Sequence, residues 1–355
     1  MPNTIIETSS DLKERWAKLK EETPHMRIRE AAMKLGVSEA ELLATDLGDN
    51  TIRLKGPWED LLKRFKDLGY VMSLTRNDAC VLEHKGIFDK INVFGKGSHK
   101  IGTVIGPIET RVFLQNWGYA FANTMDTGKK IMKNIQVFDH SGEAITKIYL
   151  QKKSNYEAYE QLIADFKAKD QSATLNVTKP QLIEYNENVD QEKFLEDWRA
   201  LKDTHDFFPM LRNHKAHRYN ALELAENEFT YQIDNAAITN ILDEASKTQL
   251  PIMIFVGNRG NIQIHQDIVK KIIPMERGEQ DWINVMDPEF NLHLRRDKIA
   301  HSWVVKKPTK DGIVTSVELF DNNKDMIGQI FGLRKPGQKE LTDWINLVDS
   351  LQRLN

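Results

Sequence analysis

Three of the chain's ten histidines lie close together in the segment LKDTHDFFPMLRNHKAHRYN, residues 201–220. A neutral imidazole is the commonest metal ligand in proteins, and it also serves as a general acid or base near neutral pH. The segment is too polar for a buried helix and holds more large apolar groups than a solvent-facing helix needs. His205, His214 and His217 are therefore the first candidates for chemistry.

His205 follows two residues that can cap a helix, Asp203 and Thr204, and Pro209 suits the first turn of the helix that they would start. We expect His205 at a helix start, where its side chain can project into a cleft. The internal repeat described below places Thr23 at the matching position of the other half. This histidine therefore occurs in one copy only.

Aromatic and cationic residues accompany His205. Phe207 and Phe208 supply a flat apolar wall, and Arg212 and Arg218 follow further along the predicted helix. A neutral imidazole, aromatic walls and guanidinium groups suit a planar metal macrocycle that carries carboxylates. The alternative is a capped helix entrance whose histidine faces solvent.

The other histidines give weaker signals. His214 and His217 are three residues apart and would share a helical face, but no acidic residue at helical spacing completes a metal site with them. His84 and His265 are related by the repeat, which favours a structural role. The chain also lacks the GxGxxG, GxxxxGK[ST], GxSxG and HExxH motifs of nucleotide-binding proteins, esterases and zinc proteases.

Composition excludes several function classes. The net charge of the 355 residues is −3, which argues against a nucleic-acid partner bound through bulk charge. The single cysteine, Cys80, excludes an intrachain disulfide and zinc sites that need two cysteines. The N-terminus does not resemble a secretion signal, and no stretch approaches the ~20 apolar residues that span a bilayer. We expect a cytoplasmic protein that is not membrane-spanning.

The sequence repeats itself over nearly its whole length. Three separated blocks recur in the same order with an offset of 181 or 182 residues, which is hard to obtain by chance. Two copies are too few for a solenoid and indicate a duplicated domain. The matching pairs are Trp16 with Trp198, Asn77 with Asn258, His84 with His265, Phe138 with Phe320, Asp139 with Asp321, and Ile145 with Ile327.

Each half begins with helices and continues with short β-rich segments separated by turn residues. This pattern predicts an α+β fold with a tandem structural duplication: two large antiparallel β-sheets flanked by helices. We expect an N-terminal repeat half over residues 1–175 and a C-terminal repeat half over residues 191–355. The polar stretch 176–190, which contains Pro180, is the predicted linker.

Six segments together resemble a known family. They are RIREAAMKLGVSEAELLAT, TRNDACVLEHKGIFDKI, ETRVFLQNWGYAF, DWRALKDTHDFFPMLR, FNLHLRRDKIAHSWVVKKPTKDGIVTSVELFD and IFGLRKPGQ. The family is the cytoplasmic haem-utilisation proteins, or hemin-degrading factors, of Gram-negative bacteria (the HemS/ChuS/PhuS type). The resemblance covers both halves and implies a ligand cleft between them.

The resemblance also implies site residues. It makes His205 the axial ligand of the iron in haem b, and it places Arg111, the implied catalytic residue, on the distal side. The remaining cofactor-binding positions line the pocket or approach the haem propionates: Phe113, Phe208, Arg218, Lys307, Gln329, Phe331 and Arg334. Relatives often have tyrosine where this chain has Phe331, so one hydroxyl donor is missing. Lys306 is the alternative to Lys307.

Two functions follow from this resemblance, and the sequence does not separate them. In one, the protein opens the porphyrin ring and releases iron, with NAD(P)H as a candidate electron donor, during haem-iron acquisition. In the other, it is a haem chaperone that accepts haem from an inner-membrane importer and passes it to a separate haem oxygenase or stores it. Haem, the importer and a haem oxygenase or reductase are thus the expected partners. A ligand-free interaction module is the third hypothesis, in which the resemblance misleads.

Overall fold

The computed structural model describes residues 9–97, 99–180, 182–335 and 337–354. The helices in this part of the chain are α1 (Ser9–Glu22), α2 (Ile28–Leu35), α3 (Glu39–Ala44), α4 (Trp58–Arg64), α5 (Tyr156–Phe166), α6 (Gln191–Arg199), α7 (Phe207–Asn213), α8 (Arg218–Leu224), α9 (Ala237–Thr248) and α10 (Thr342–Asp349). None of these helices combines the length and the apolar character that crossing a bilayer requires.

The strands of the first half are β1 (Thr51–Leu54), β2 (Gly69–Arg76), β3 (Cys80–Gly86), β4 (Lys90–Phe94), β5 (Ile101–Ile105), β6 (Glu109–Phe113), β7 (Trp117–Asp126), β8 (Ile131–Asp139) and β9 (Ala144–Ser154). Those of the second half are β10 (Thr230–Ile233), β11 (Ile252–Gly257), β12 (Asn261–Asp267), β13 (Ile272–Arg277), β14 (Gln280–Met286), β15 (Phe290–Arg295), β16 (His301–Thr309), β17 (Gly312–Phe320) and β18 (Met326–Gly332).

The strands form two nine-stranded sheets. One has the order β1-β7-β8-β9-β2-β3-β15-β14-β13, and the other has the order β10-β16-β17-β18-β11-β12-β6-β5-β4. Each strand from β1 to β9 corresponds to the strand numbered nine higher in the second half, and exchanging all such pairs converts one order into the other. The duplication seen in the sequence is therefore also present in the topology. The predicted fold class, two large antiparallel sheets flanked by helices, is confirmed.

The chain divides into two compact units. The N-terminal unit contains residues 1–75, 84–181 and 258–262, and the C-terminal unit contains residues 76–83, 182–257 and 263–355. Each unit thus includes one short segment from the opposite half of the sequence. The predicted linker bounds, 176–190, stay a prediction.

The two exchanged segments hold the same asparagine-centred turn, which accounts for the sequence match between Asn77 and Asn258. In the C-terminal unit, the Asn77 side-chain oxygen accepts hydrogen bonds from two backbone N–H groups, and its Nδ2 donates to the carbonyl of Ile327. In the N-terminal unit, Asn258 makes the same bonds and donates to the carbonyl of Ile145. Ile145 and Ile327 are themselves a repeat pair, so both halves contain the same set of hydrogen bonds.

The helices α6, α7 and α8 cover part of the sheet of the C-terminal unit. Trp198 and Phe207 come from the helical layer and are buried against Trp303 and Phe320 of the strands. The Trp198 indole N–H donates to the carbonyl of Lys306 at 3.0 Å, so the buried polar atom is satisfied. Because Phe207 is the first residue of α7, its packing in this aromatic layer anchors the start of the helix. The residues just before α7, which include His205, are positioned in this way.

Candidate functional site

His205 lies in a capped turn that leads into α7. Asp203 is the N-cap of a short 3₁₀ turn over Thr204–Asp206, and its carboxylate accepts from the backbone N–H of His205 at 2.9 Å. Asp206 returns the bond by accepting from the backbone N–H of Asp203 at 3.0 Å. This reciprocal arrangement is a capping box, so the predicted position of His205 at a helix start is confirmed.

The same carboxylate also holds the imidazole. Nδ1 of His205 is 2.6 Å from Oδ1 of Asp203, and the imidazole side chain is 92% exposed. The backbone N–H and the side chain of His205 both lower the pKa of Asp203, and the charge of Arg334 lowers it further. In the tautomer that carries its proton on Nδ1, the imidazole donates a hydrogen bond to the Asp203 carboxylate, and Nε2 keeps a free lone pair.

The two phenylalanines after His205 have different environments. Phe207 is buried in the core, whereas Phe208 is 67% exposed. Of the two, Phe208 is therefore the one that can contact a ligand, as the resemblance implies. Phe207 instead packs against two cationic side chains, Arg218 and Lys307. Its ring centroid is 5.0 Å from the Arg218 guanidinium carbon and 4.9 Å from the Lys307 ammonium.

The predicted continuation of the helix through His214 and His217 is wrong. α7 ends at Asn213, Lys215 has a left-handed backbone with φ of 49°, and α8 begins at Arg218. The two imidazoles therefore do not share a helical face. His214 pairs with Asp197 at 2.7 Å, and His217 is the N-terminal flank of α8. Within the described ranges, no three His, Cys, Asp or Glu side chains are grouped to hold a metal ion.

A buried carboxylate binds two of the three predicted cationic residues of the C-terminal unit. Glu318 on β17 accepts two hydrogen bonds from Arg218, each of 2.7 Å, and one from Lys307 on β16 at 2.9 Å. Gln329 on β18 donates to the same carboxylate at 2.8 Å, and the Ser316 hydroxyl does so at 3.1 Å. We call these five residues the Glu318 cluster. It brings together three of the residues that the resemblance assigns to the propionates.

The Glu318 cluster carries an excess of positive charge. Burial alone would raise the pKa of Glu318, but the charges of Arg218 and Lys307 outweigh burial and hold that pKa well below its usual range. Burial lowers the pKa of Lys307, and the negative charge of Glu318 opposes this effect. Within the cluster one carboxylate thus faces two cations, and the negative charge of Glu340 raises the pKa of Lys307 to a smaller extent. A ligand carboxylate would reduce this imbalance.

Strand alternation separates the two adjacent lysines. Lys307 is buried on the face of β16 that carries the Glu318 cluster, whereas the Lys306 ammonium lies 5.7 Å from the ring centroid of Tyr231. Phe331 shares the face of Lys307, whose ammonium is 5.5 Å from the centroid of the phenyl ring. Phe331 therefore offers a π face to a cation, and it has no hydroxyl donor.

The N-terminal unit carries the counterpart of the Glu318 cluster with its charges reversed. Glu318 pairs with Gln329 across β17 and β18, and Gln136 pairs with Lys147 across β8 and β9. The buried Lys147 makes an ion pair with Glu39, the first residue of α3, just as Glu318 pairs with the first residue of α8.

Lys307 has no charged counterpart in the other half. The strands β7 and β16 match at an offset of 182 residues, because Asn123 pairs with the first residue of β1 and Val305 with the first residue of β10. The position that matches Lys307 is then Met125. The unbalanced cation is therefore particular to the C-terminal unit.

Arg111 and Phe113 lie in the N-terminal unit on β6. The Arg111 guanidinium donates to Glu109 at 2.9 Å and is one-third exposed. Its contacts with the backbone oxygens of Thr110 and Val104 are longer, at 3.3 and 3.4 Å, so Glu109 is its main anchor. Phe113 is anchored through its backbone N–H, which donates to the carbonyl of Gly260 at 3.0 Å.

A family model supports what this geometry suggests. The haemin-degrading HemS/ChuX domain matches residues 36–166 and again residues 215–351. The chain belongs to the haemin-degrading HemS family. The two matches correspond to the two halves of the duplication, so the resemblance read from the sequence is confirmed.

Individual relatives match along their whole length. The hemin transport protein HemS of Yersinia enterocolitica is 37% identical over 356 residues, covering 98% of this chain and 98% of that protein. The structure of holo-PhuS, a heme-binding protein from Pseudomonas aeruginosa, has a TM-score of 0.93 at 40% identity and covers 98% of this chain and 100% of that one. The heme-degrading enzyme ChuS of Escherichia coli O157:H7 has a TM-score of 0.88 at 32% identity, with coverage of 97% and 100%.

The two matches to the HemS-family domain do not include His205, which lies in the interval between residues 166 and 215. The structure also adds three residues that the sequence reasoning missed as site residues: Asp203, Glu318 and Glu109. Glu318 had a visible signal, since a charged residue interrupts the otherwise apolar and small residues of VTSVELF. Asp203 was considered only as a cap, and nothing in the spacing distinguished Glu109 from a surface residue.

Proposed function

We propose that this chain binds haem through His205 and degrades it, opening the ring and releasing iron with electrons from an external reductant. The observation that carries the proposal is the His205 side chain. It is exposed, and a carboxylate holds its Nδ1 while Nε2 stays available. A lone imidazole suffices as a ligand when the other iron ligands come from the porphyrin. The resemblance carried by the segment DWRALKDTHDFFPMLR implies the same ligand.

The surrounding residues fit such a ligand. Phe208 offers an exposed aromatic surface for the porphyrin face, and Arg218 and Lys307 supply the excess cationic charge that propionates need. Gln329 and Arg334 are candidates for the same carboxylates. Bound haem would supply the iron at which ring oxidation occurs. His205 would hold that iron, and the buried cations would fix the orientation of the ring.

Haem trafficking is the alternative, and one observation favours it: the relative from Yersinia enterocolitica is a hemin transport protein. In that role the chain would receive haem from an inner-membrane importer and pass it to a separate oxygenase. For both roles we propose a cytoplasmic location, and for degradation we propose NAD(P)H as the ultimate electron donor.

The two roles are separated by a reductant assay. We expect the one-to-one hemin complex, incubated with ascorbate or with NADPH and a reductase, to lose its Soret band and yield a linear tetrapyrrole. Catalase is present throughout, so that free peroxide cannot cause the loss, and hemin on serum albumin is the control. If the hemin complex keeps its Soret band for as long as hemin on serum albumin does, or longer, degradation is rejected and the trafficking role is supported.

Arg111 is proposed as the distal residue. We expect Arg111→Ala to keep hemin affinity within a few-fold, because the ligand His205 and the buried cations are unchanged. The visible spectrum and its pH dependence should change, because a donor near the sixth position of the iron is removed. Lys90→Ala is the control, since it removes an exposed cation from β4 of the same sheet at a residue outside the predicted pocket. A variant whose spectrum titrates as the parent's does would exclude the distal role of Arg111.

A further inference from the structure

The carboxylate of Asp203 does two things at once, and only one of them is needed for folding. Its Oδ1 accepts the backbone N–H of His205 at 2.9 Å, which caps the turn, and it also lies 2.6 Å from the imidazole Nδ1. A cap requires only the first contact. A serine or asparagine at position 203 would cap the turn equally well without a negative charge on the imidazole.

The other half of the protein shows that the fold does not require this pair. At an offset of 182 residues, the positions matching Asp203 and His205 are Glu21 and Thr23. There α1 continues through Glu22, and the Thr23 hydroxyl donates back to the carbonyl of Leu19 at 2.7 Å. The corresponding chain in the C-terminal unit leaves the helix at Arg199 and forms a separate capped turn. The aspartate–histidine pair is therefore an addition to the repeat.

The turn holds the Asp203 side chain in a fixed orientation. The backbone N–H of Asp203 donates to Asp206, which fixes the residue that carries the carboxylate. A carboxylate held in this way polarises the N–H of a ligating imidazole and makes the opposite nitrogen a stronger electron donor.

We infer that Asp203 is a positioning residue for the iron ligand. It fixes His205 in the tautomer with the proton on Nδ1, and it strengthens electron donation from Nε2 to a bound iron. This inference rests on the proposed function, because it takes His205 as the ligand. A stronger donor stabilises ferric over ferrous haem, so Asp203 lowers the reduction potential of the complex and restricts the class of reductant that can drive the reaction.

The test compares variants that keep the cap. Asp203→Asn and Asp203→Ser both retain a side-chain acceptor for the backbone N–H of His205, and neither carries the negative charge. We expect their hemin affinity to fall by about 10–100-fold, as for other outer-shell partners of metal-ligating histidines. The ferric/ferrous midpoint potential should shift to a more positive value, and the iron–histidine stretching frequency of the ferrous complex should decrease.

Asp206→Asn is the matched control, since it removes a charge from the same turn without touching the imidazole, and it should shift neither quantity. If the Asp203 variants keep the parent's potential and stretching frequency while His205→Ala abolishes the histidine signature, Asp203 is only a cap and the inference is wrong. If the parent complex itself has no histidine signature that His205→Ala removes, the proposed function fails instead.

Discussion

Replacing Glu318 by glutamine is expected to lower the free energy of unfolding by about 3–5 kcal/mol, the cost of leaving buried charges without their partner. The side chain of Glu318 is fully buried and accepts hydrogen bonds from Arg218, Lys307, Gln329 and Ser316. Glutamine keeps nearly the same volume, so no cavity contributes. What is lost is the one negative charge that two buried or half-buried cations share.

Urea unfolding at pH 7 measures this loss, and two further variants identify its cause. Glu228→Gln removes a carboxylate that also receives two bonds from an arginine, Arg199, but on the surface, and it should cost only about 0–1 kcal/mol. Lys307→Met copies the residue of the other half, Met125, and leaves the Arg218–Glu318 pair balanced. The double variant Glu318→Gln/Lys307→Met should recover part of the loss. Equal effects of Glu318→Gln and Glu228→Gln would contradict this account.

The effect of Glu318→Gln should depend on pH. The folded-state pKa of Glu318 is lowered, so its contribution is fully present above the ordinary glutamate pKa of about 4.3 and is lost as pH falls through the folded-state value. The difference between parent and variant should therefore begin to shrink only below about pH 4.3. Buried His84, whose pKa burial lowers to about 4, also weakens the fold in acid, but parent and variant share that contribution. A difference that shrinks near pH 6 would point to another group.

A substitution of Lys307 can separate the contribution of the Glu318 cluster to protein stability from its contribution to ligand binding. Lys307→Met should be much less destabilising than Glu318→Gln, yet it removes the unbalanced cation that we assign to a ligand carboxylate. The matching position in the other half is Met125, so the fold does not require a cation there. The second cation of the C-terminal unit is thus better explained by a ligand than by the fold.

The duplication, the strand-rich order and the capped start of α7 were predictable because each depends on local pattern. The match of Trp16 to Trp198 and of Asn77 to Asn258 needed only a constant offset, and the structure repeats the topology at that offset. Asp203 as a cap followed from its place before His205 and Pro209. These features depend on interactions between residues that are near in sequence, or on the sequence similarity between the two repeat halves.

Other features depended on contacts that spacing does not encode. Glu318 meets Arg218 a hundred residues away, so no local window could pair them. The end of α7 at Asn213 depends on the left-handed backbone of Lys215, a residue type with no preference for that conformation. The second contact of Asp203, with the imidazole, depends on side-chain torsions. The site's electrostatics therefore had to come from the structure.

Replacing His205 by alanine is expected to weaken hemin binding by at least the 10–100-fold that follows loss of an outer-shell partner, and to remove the histidine signature from the spectrum. Stability should change by less than about 0.5 kcal/mol, since the side chain is 92% exposed. Hemin titration of His205→Ala is the measurement, with His214→Ala and His217→Ala as controls. His214 pairs with Asp197, and His217 contacts Tyr185, so neither loss should change the spectrum.

The controls make the His205→Ala result specific. If any histidine of residues 201–220 could ligate the iron, His214→Ala or His217→Ala would weaken binding as much as His205→Ala does. The three imidazoles differ in one respect that matters for a ligand: only the ring of His205 is almost fully exposed while a carboxylate holds its Nδ1. Hemin affinity and spectrum that survive the loss of His205 would show that the ligand lies elsewhere. In that case the Asp203–His205 pair would be only a means of starting α7.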